Sequence, residues 1–176
     1  NLTDSLTNKT IGIVGMGRIG KAFAKRVKSL SMNVVYSGPR RKIINLKYFK
    51  SIKEMAARID FMVITCKGGD NTKKIINAKV INSMKRNAFI INIARGSVID
   101  EIALLKALEK NKIKGAALDV FENEPNINKR FRKLDNVLFS PHHGSGTNET
   151  RLAMAEISKN NIINFFKGKK AIHKVN

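Results

Sequence analysis

The sequence predicts an α/β fold built on a doubly wound parallel sheet, and three observations carry that expectation. Short apolar runs that read as buried strands alternate with amphipathic or capped helical stretches from Thr10 to Phe166. The first strand and helix are joined by a glycine turn, Gly15-Met-Gly17-Arg-Ile-Gly20. At 176 residues and 43% hydrophobic content, the chain suits one globular domain with a sizeable core.

The elements follow in order. Thr10-Ile-Gly-Ile-Val14 is a buried strand, and Lys21 to Leu30 an amphipathic helix. Asn33-Val-Val-Tyr36 is a second strand, leading into the basic turn Ser37-Gly-Pro-Arg-Arg-Lys42. Ser51-Ile-Lys-Glu54 is a capping box that opens a helix through Arg58. Asp60 to Thr65 forms the next strand and empties into the loop from Cys66 to Asn71. A short helical stretch, Ala78 to Met84, precedes the strand Ala88 to Ile93. Asp100 caps a helix from Glu101 to Lys110. Strands at Ile113 to Val120 and Asn136 to Ser140 follow, and a final helix runs from about Thr147 to Phe166. No repeat, low-complexity segment or internal linker interrupts the pattern, so residues 1–176 read as one domain.

Composition narrows the function. The formal charge is +21, but the lysines are scattered through every segment and only 6% of residues are aromatic. Lys, Asn and Ile are abundant together and share AT-rich codons. The charge therefore reads as compositional drift with solvated faces, and no nucleic-acid partner is expected. No apolar run approaches the ~18 residues needed to cross a bilayer, so no membrane partner is expected either. The chain begins at Asn1 with nothing resembling a signal peptide. Cys66 is the single cysteine, which excludes an internal disulfide and a thiolate metal site. It closes an apolar strand as a small buried hydrophobe, and a cytoplasmic setting fits.

Flanked by strand and helix, the glycine turn has the form of a dinucleotide-binding fingerprint. Gly15 permits the tight turn, Gly17 lets the backbone approach a pyrophosphate, and Gly20 lets helix and strand pack closely. The helix N-terminus offers N–H groups and partial positive charge to phosphates. Folds of this type that select NAD carry Asp or Glu about 20 residues further on, for the ribose hydroxyls. Ser37 holds that place, and no carboxylate occurs between Asp4 and Glu54. The turn instead supplies Arg40, Arg41 and Lys42, whose charge suits a 2′-phosphate. The expected cofactor is NADP, with NAD possible; solvated charges on a basic chain are the bland alternative for Arg40 and Arg41.

Ligands of doubly wound sheets sit beyond the carboxyl ends of the strands. Arg95, Glu124 and His142 each follow one such end. An arginine grips a carboxylate in a bidentate fork, a histidine moves a proton near neutral pH, and a neighbouring carboxylate favours the imidazolium. Singly, each also reads as a turn, loop or backbone-bonding residue.

Three stretches sharpen this picture: Ile91-Asn-Ile-Ala-Arg-Gly-Ser-Val-Ile-Asp-Glu101, Gly115-Ala-Ala-Leu-Asp-Val-Phe-Glu-Asn-Glu-Pro125, and Ser140-Pro-His-His-Gly-Ser-Gly-Thr147. They resemble the signatures of the D-isomer-specific 2-hydroxyacid dehydrogenases, in order and over nearly the whole chain. The stretch from Tyr48 through Asp60 and the Gly68-Gly69 loop, with the Gly-Ser-Gly-Thr run, is most similar to the glyoxylate, hydroxypyruvate and hydroxyphenylpyruvate reductases. The resemblance implies a Rossmann-type domain acting with a small 2-keto acid or 2-hydroxy acid. It gives Arg95 the substrate carboxylate and His142 the proton for the keto oxygen. Glu124, not Glu122, becomes the partner that keeps His142 protonated. Asp119 holds the nicotinamide carboxamide, and His143 takes a packing or rim role. The expected cofactor set is Gly15, Gly17, Arg18, Ile19, Gly20, Ser37, Arg40, Arg41, Cys66, Ala94, Asp119 and Gly144; no metal site is expected.

The resemblance implies a smaller substrate domain paired with this one, and roughly a hundred residues forming most of it are expected to lie outside this chain. A homodimer through the cofactor domain is expected. The rival expectations are a non-catalytic nucleotide sensor or interaction module, and a nucleic-acid binder.

Overall fold

Seven strands, all paired in parallel, lie in the order β3-β2-β1-β4-β5-β6-β7. They are β1 (Thr10–Val14), β2 (Asn33–Ser37), β3 (Lys47–Phe49), β4 (Phe61–Ile64), β5 (Phe89–Asn92), β6 (Gly115–Leu118) and β7 (Val137–Phe139). The helices between them are α1 (Arg18–Lys28), α2 (Ile52–Ala56), α3 (Ala78–Ser83) and α4 (Glu101–Glu109). This is a computed structural model, and it describes residues 4–173.

Alternation along the strands divides the core between the two sheet faces. Ile11, Ile13, Val34, Tyr36 and Val63 turn to the face covered by α1, where they meet Ala24 and Val27. Val14, Met62, Ile64, Ile90 and Leu118 turn to the other face, against residues of α2, α3 and α4 such as Met55, Ile81 and Leu104. Local caps fix the helix starts. Ser51, Asn77 and Asp100 accept hydrogen bonds from the N–H groups of Glu54, Val80 and Ala103. At the amino edge of the sheet, Asp60 accepts from Thr10 N–H at 2.8 Å and from the Lys85 ammonium at 2.9 Å.

The chain divides into two compact units, with the break between Pro141 and His142. The sheet and α1–α4 belong to the first. The second carries α5 (Asn148–Phe166), a 19-residue helix that opens with Thr147 accepting from Thr150 N–H at 3.2 Å. The sequence reads as one domain over 1–176; the structure groups the α5 segment by itself.

Several boundaries differ from the sequence reading. The first helix starts at Arg18 rather than Lys21: Gly17 is its N-cap, and Lys21 N–H already donates to the Gly17 carbonyl at 3.0 Å. The second ends at Ala56 rather than Arg58, where Ala57 and Arg58 close it with bonds to Lys53 and Met55. The edge strand β3 carries too few residues to show a period. β4 ends at Ile64, so Cys66 lies in the following loop and is half-buried.

Candidate functional site

The register sets the carboxyl ends of six strands in one row. Ser37 faces Val14, Val14 faces Ile64, Ile64 faces Asn92, Asn92 faces Leu118, and Leu118 faces Phe139. Strand order reverses beside β1, whose two neighbours lead away in opposite directions along the chain, and that is where a crevice opens in such sheets. A cleft of about 660 Å³ lies there, between the loops that follow β1, β4 and β5. Gly17, Arg18 and Ile19 line it from the fingerprint, Thr65, Cys66 and Gly69 from the next loop, and Ala94, Arg95 and Ser97 from the third.

Each fingerprint glycine has its own physical reason. Gly15 has φ +100°, and a Cβ there would lie 2.5 Å from Cys66 Cα. A Cβ on Gly20 would meet the Gly15 carbonyl oxygen and stand 3.0 Å from Thr65 Oγ1. Thr65 donates to that same carbonyl at 2.7 Å, which locks the turn against the next loop. Gly17 is different: a Cβ there meets nothing within 4 Å. It is the N-cap of α1, has no side-chain cap, and no acidic residue occupies the first turn. The first N–H groups of an 11-residue helix are thus left for an anion beside an open glycine. The residues present fit a dinucleotide pyrophosphate.

Arg95 is exposed, and its stem lies over Gly68, whose Cβ would come 2.7 Å from Arg95 Cγ. Its Nη1 donates to the Ala94 carbonyl at 2.6 Å. Asn92, 1% exposed, donates to the Arg95 carbonyl at 3.0 Å and accepts from Ala94 N–H at 3.1 Å. That buried amide sets the turn on which the guanidinium is mounted. Asn92 is not distinguishable from a core-strand residue in the sequence.

Asp119 follows β6 and is buried, its N–H donating to the Asn92 carbonyl at 3.0 Å. In the loop beyond, Glu124 accepts from Phe121 N–H at 2.7 Å. Glu101, at the start of α4, accepts from Glu122 N–H at 2.6 Å. Burial raises the Glu101 carboxyl above the ordinary range, and the charges of Glu122 and Glu124 add to that, against the Glu122 N–H bond and Lys74. A Cβ on Gly96 would collide with the Phe121 carbonyl carbon and oxygen, so the loop carrying Glu124 rests directly on the residue after Arg95. Gly96 and Glu101 stand in the motif that carried the resemblance, yet their grip on residues 121–122 spans more than twenty positions and has no local signal. Burial also pushes the Cys66 thiol up, which keeps it protonated at neutral pH.

Ser37 is 1% exposed, and its carbonyl accepts from Gly15 N–H at 2.9 Å. Its side chain is therefore largely covered, whereas Arg40 and Arg41 are exposed on the turn beyond it. His142 opens the second unit with φ 56°, a left-handed conformation uncommon outside glycine. His143 accepts from Gly146 N–H at 2.9 Å through its carbonyl, closing a turn that includes Gly144. The first unit brings the fingerprint, Cys66, Ala94 and Arg95 to one cleft; Arg40 and Arg41 lie on the turn after β2, outside the lining of that cleft. Among the described residues, no cluster of side chains could hold a metal ion, and no helix is long and apolar enough to cross a membrane.

A doubly wound sheet with an uncapped helix N-terminus beside an open glycine, at the point where strand order reverses, defines a dinucleotide-binding domain. The sequence model of the D-isomer specific 2-hydroxyacid dehydrogenase, NAD binding domain, matches residues 1–144. The chain belongs to the D-isomer-specific 2-hydroxyacid dehydrogenases and carries their NAD-binding domain. It is 40% identical over 166 residues to 2-ketogluconate reductase from Gluconobacter oxydans, covering 94% of this chain and 54% of that protein. It is 44% identical over 165 residues to glyoxylate reductase from Pyrococcus horikoshii, covering 91% and 49%. Among solved structures, a 2-hydroxyacid dehydrogenase from Ketogulonicigenium vulgare superposes with a TM-score of 0.95 at 36% identity, over 100% of this chain and 56% of that one. An NADPH-dependent glyoxylate/hydroxypyruvate reductase from Sinorhizobium meliloti, in complex with NADP and malonate, gives 0.93 at 35% identity, over 97% and 54%. The chain spans about half the length of the curated relatives it matches.

Proposed function

We propose that the chain is the cofactor half of an NADPH-preferring reductase of small 2-keto acids of the glyoxylate or hydroxypyruvate kind. The observation that carries this reading is the cleft that joins the open Gly17 and the uncapped α1 to Arg95. One end suits a pyrophosphate and the other a substrate carboxylate. The names of relatives that reduce glyoxylate and hydroxypyruvate support the substrate class. The NADP complex of the Sinorhizobium meliloti enzyme, with Arg40 and Arg41 on the turn after β2, supports the cofactor.

When bound, the nicotinamide supplies the hydride that reduces the keto carbon. The chain's own residues do the rest. Arg95 anchors the substrate carboxylate by a two-point guanidinium contact. His142 gives a proton to the keto oxygen as the alcohol forms, and Glu124 supports the charged imidazole. Asp119 holds the carboxamide, and Gly15, Gly17, Arg18, Ile19, Gly20, Cys66, Ala94 and Gly144 complete the cofactor contacts. The family motifs support these roles. We also read the protein as a cytoplasmic homodimer that associates through this domain, which sedimentation at tens of micromolar tests: a monomer refutes it.

Calorimetric titration tests the cofactor reading. NADPH is expected to bind at least about tenfold tighter than NADH, a difference of ~1.4 kcal/mol. Equal or tighter binding of NADH overturns the preference.

A further inference from the structure

The turn from Gly38 to Lys42 leaves β2 with Arg40 and Arg41 exposed on it, and two tyrosine hydroxyls hold its two ends. Tyr36 belongs to β2 and is completely buried. Its Oη accepts from Lys42 N–H at 2.8 Å and makes a longer 3.4 Å contact as donor to the Lys42 carbonyl. One hydroxyl thus engages both backbone groups of the residue that ends the turn. Tyr48 belongs to β3 and is half-buried, and its Oη donates to the Gly38 carbonyl at 2.9 Å. Register puts Tyr36 directly opposite Tyr48, and the ring centroids are 5.3 Å apart. The two hydroxyls therefore act side by side on one five-residue segment, in which Pro39 already fixes a backbone angle.

A buried tyrosine needs a partner for its hydroxyl, and a turn backbone can supply one. That requirement alone does not explain two hydroxyls from adjacent strands converging on opposite ends of the same turn. The rings would fill the same space as phenylalanines, so what the oxygens add is the shape of the turn. A long arginine loses rotamer and backbone freedom when it grips a phosphate, and a preset turn reduces that cost.

We propose that Tyr36 and Tyr48 are positioning residues for cofactor selection: by pinning both ends of the Gly38–Lys42 turn, they aim Arg40 and Arg41 at the 2′-phosphate of NADPH without touching it. The role rests on the NADPH-preferring reading above. It also makes specificity separable from charge, since a Tyr→Phe change leaves the +21 charge of the chain as it is.

The test titrates the 176-residue chain with NADPH and with NADH at ~0.15 M salt, where long-range attraction is screened beyond about 8 Å. Wild type, Tyr48→Phe, Tyr36→Phe and the pair Arg40→Ala with Arg41→Ala are compared. Each Tyr→Phe variant is expected to lower the NADPH-to-NADH affinity ratio by about three- to tenfold, the worth of one neutral hydrogen bond, with NADH affinity held within about twofold. Amide exchange at Lys42 should accelerate in Tyr36→Phe while β1 and β4 amides stay protected. If the fully buried Tyr36 tolerates no change, Tyr48→Phe carries the test. An unchanged ratio in Tyr48→Phe, with wild type favouring NADPH, overturns the positioning role and leaves the cofactor reading intact. Equal loss of both cofactors shows a merely structural role and overturns it too. Equal affinities in wild type overturn the cofactor reading and this role together.

Discussion

Gly17→Ala should separate ligand binding from folding, because the methyl group enters open space on one side of a working turn. The backbone at Gly17 is extended, with φ −84° and ψ −158°, so it lies outside the left-handed region that favours glycine, and a Cβ there meets no atom within 4 Å. Two small effects on stability oppose each other. Alanine restricts the unfolded chain and contributes about 0.4–1 kcal/mol of stability. It is also a poorer N-cap than glycine, which costs about 0.5–1 kcal/mol. The net change is about zero, and Tm should move by no more than ~2 °C for a chain of this size. Cofactor binding should change much more. The methyl would occupy the space through which a phosphate approaches the α1 N–H groups, and overpacking of that kind costs about 1–3 kcal/mol. Affinity for NADPH should therefore fall by roughly 5- to 150-fold. Circular dichroism melts and calorimetric titration read the two effects separately. Gly20→Ala is the control for folding, since its Cβ strikes the Gly15 carbonyl and Tm should drop. A Gly17→Ala chain that binds NADPH like wild type, or that melts many degrees lower, refutes the reasoning.

Further expectations concern chemistry and acid stability. In a fusion of this chain to the substrate-binding half of a relative, His142→Ala should lower kcat for glyoxylate by roughly 10²–10⁴. If His143→Ala lost activity while His142→Ala kept it, the acid would be misassigned. Arg95→Ala should raise KM for the keto acid and lower kcat as well; an effect on cofactor affinity alone would contradict a carboxylate-gripping role. At Asp60, burial raises the carboxyl, but the Thr10 N–H and the Lys85 ammonium outweigh it and hold it below the ordinary range. A carboxyl depressed in the fold contributes stability that is complete above its unfolded value, ~3.9, and is lost as pH falls through the folded value. Asp60→Asn should thus melt lower at pH 7, by about 1 kcal/mol, with the gap to wild type closing on acidification below pH ~4. A gap that stays constant from pH 7 to pH 3 argues that charge is not what Asp60 contributes.

Local chemistry made much of the fold legible before any coordinates. Ser51, Asp100 and Thr147 cap helices through bonds to residues three positions away, so their signal lies within four consecutive letters. The apolar strands and the glycine turn are equally local, and Arg95, Asp119, Glu124 and His142 were proposed for the site from the family motifs alone. Tertiary structure decided what depends on distant partners. β3 is a strand because its three residues find β2, not because they have a pattern. α1 starts three residues earlier than its apolar pattern because Lys21 N–H bonds the Gly17 carbonyl, and Gly20, unfavourable in a helix by propensity, sits where a Cβ would strike Gly15. Ser37 fell where a carboxylate would sit, yet only the sheet shows that its side chain is covered while Arg40 and Arg41 stay exposed. Asn92, Gly96 and Glu101 read as strand, turn and helix residues in the sequence. Their work on the Arg95 turn and the Glu124 loop exists only once β5 and β6 lie side by side, because a hydrogen bond acts over about 3 Å whatever the separation along the chain.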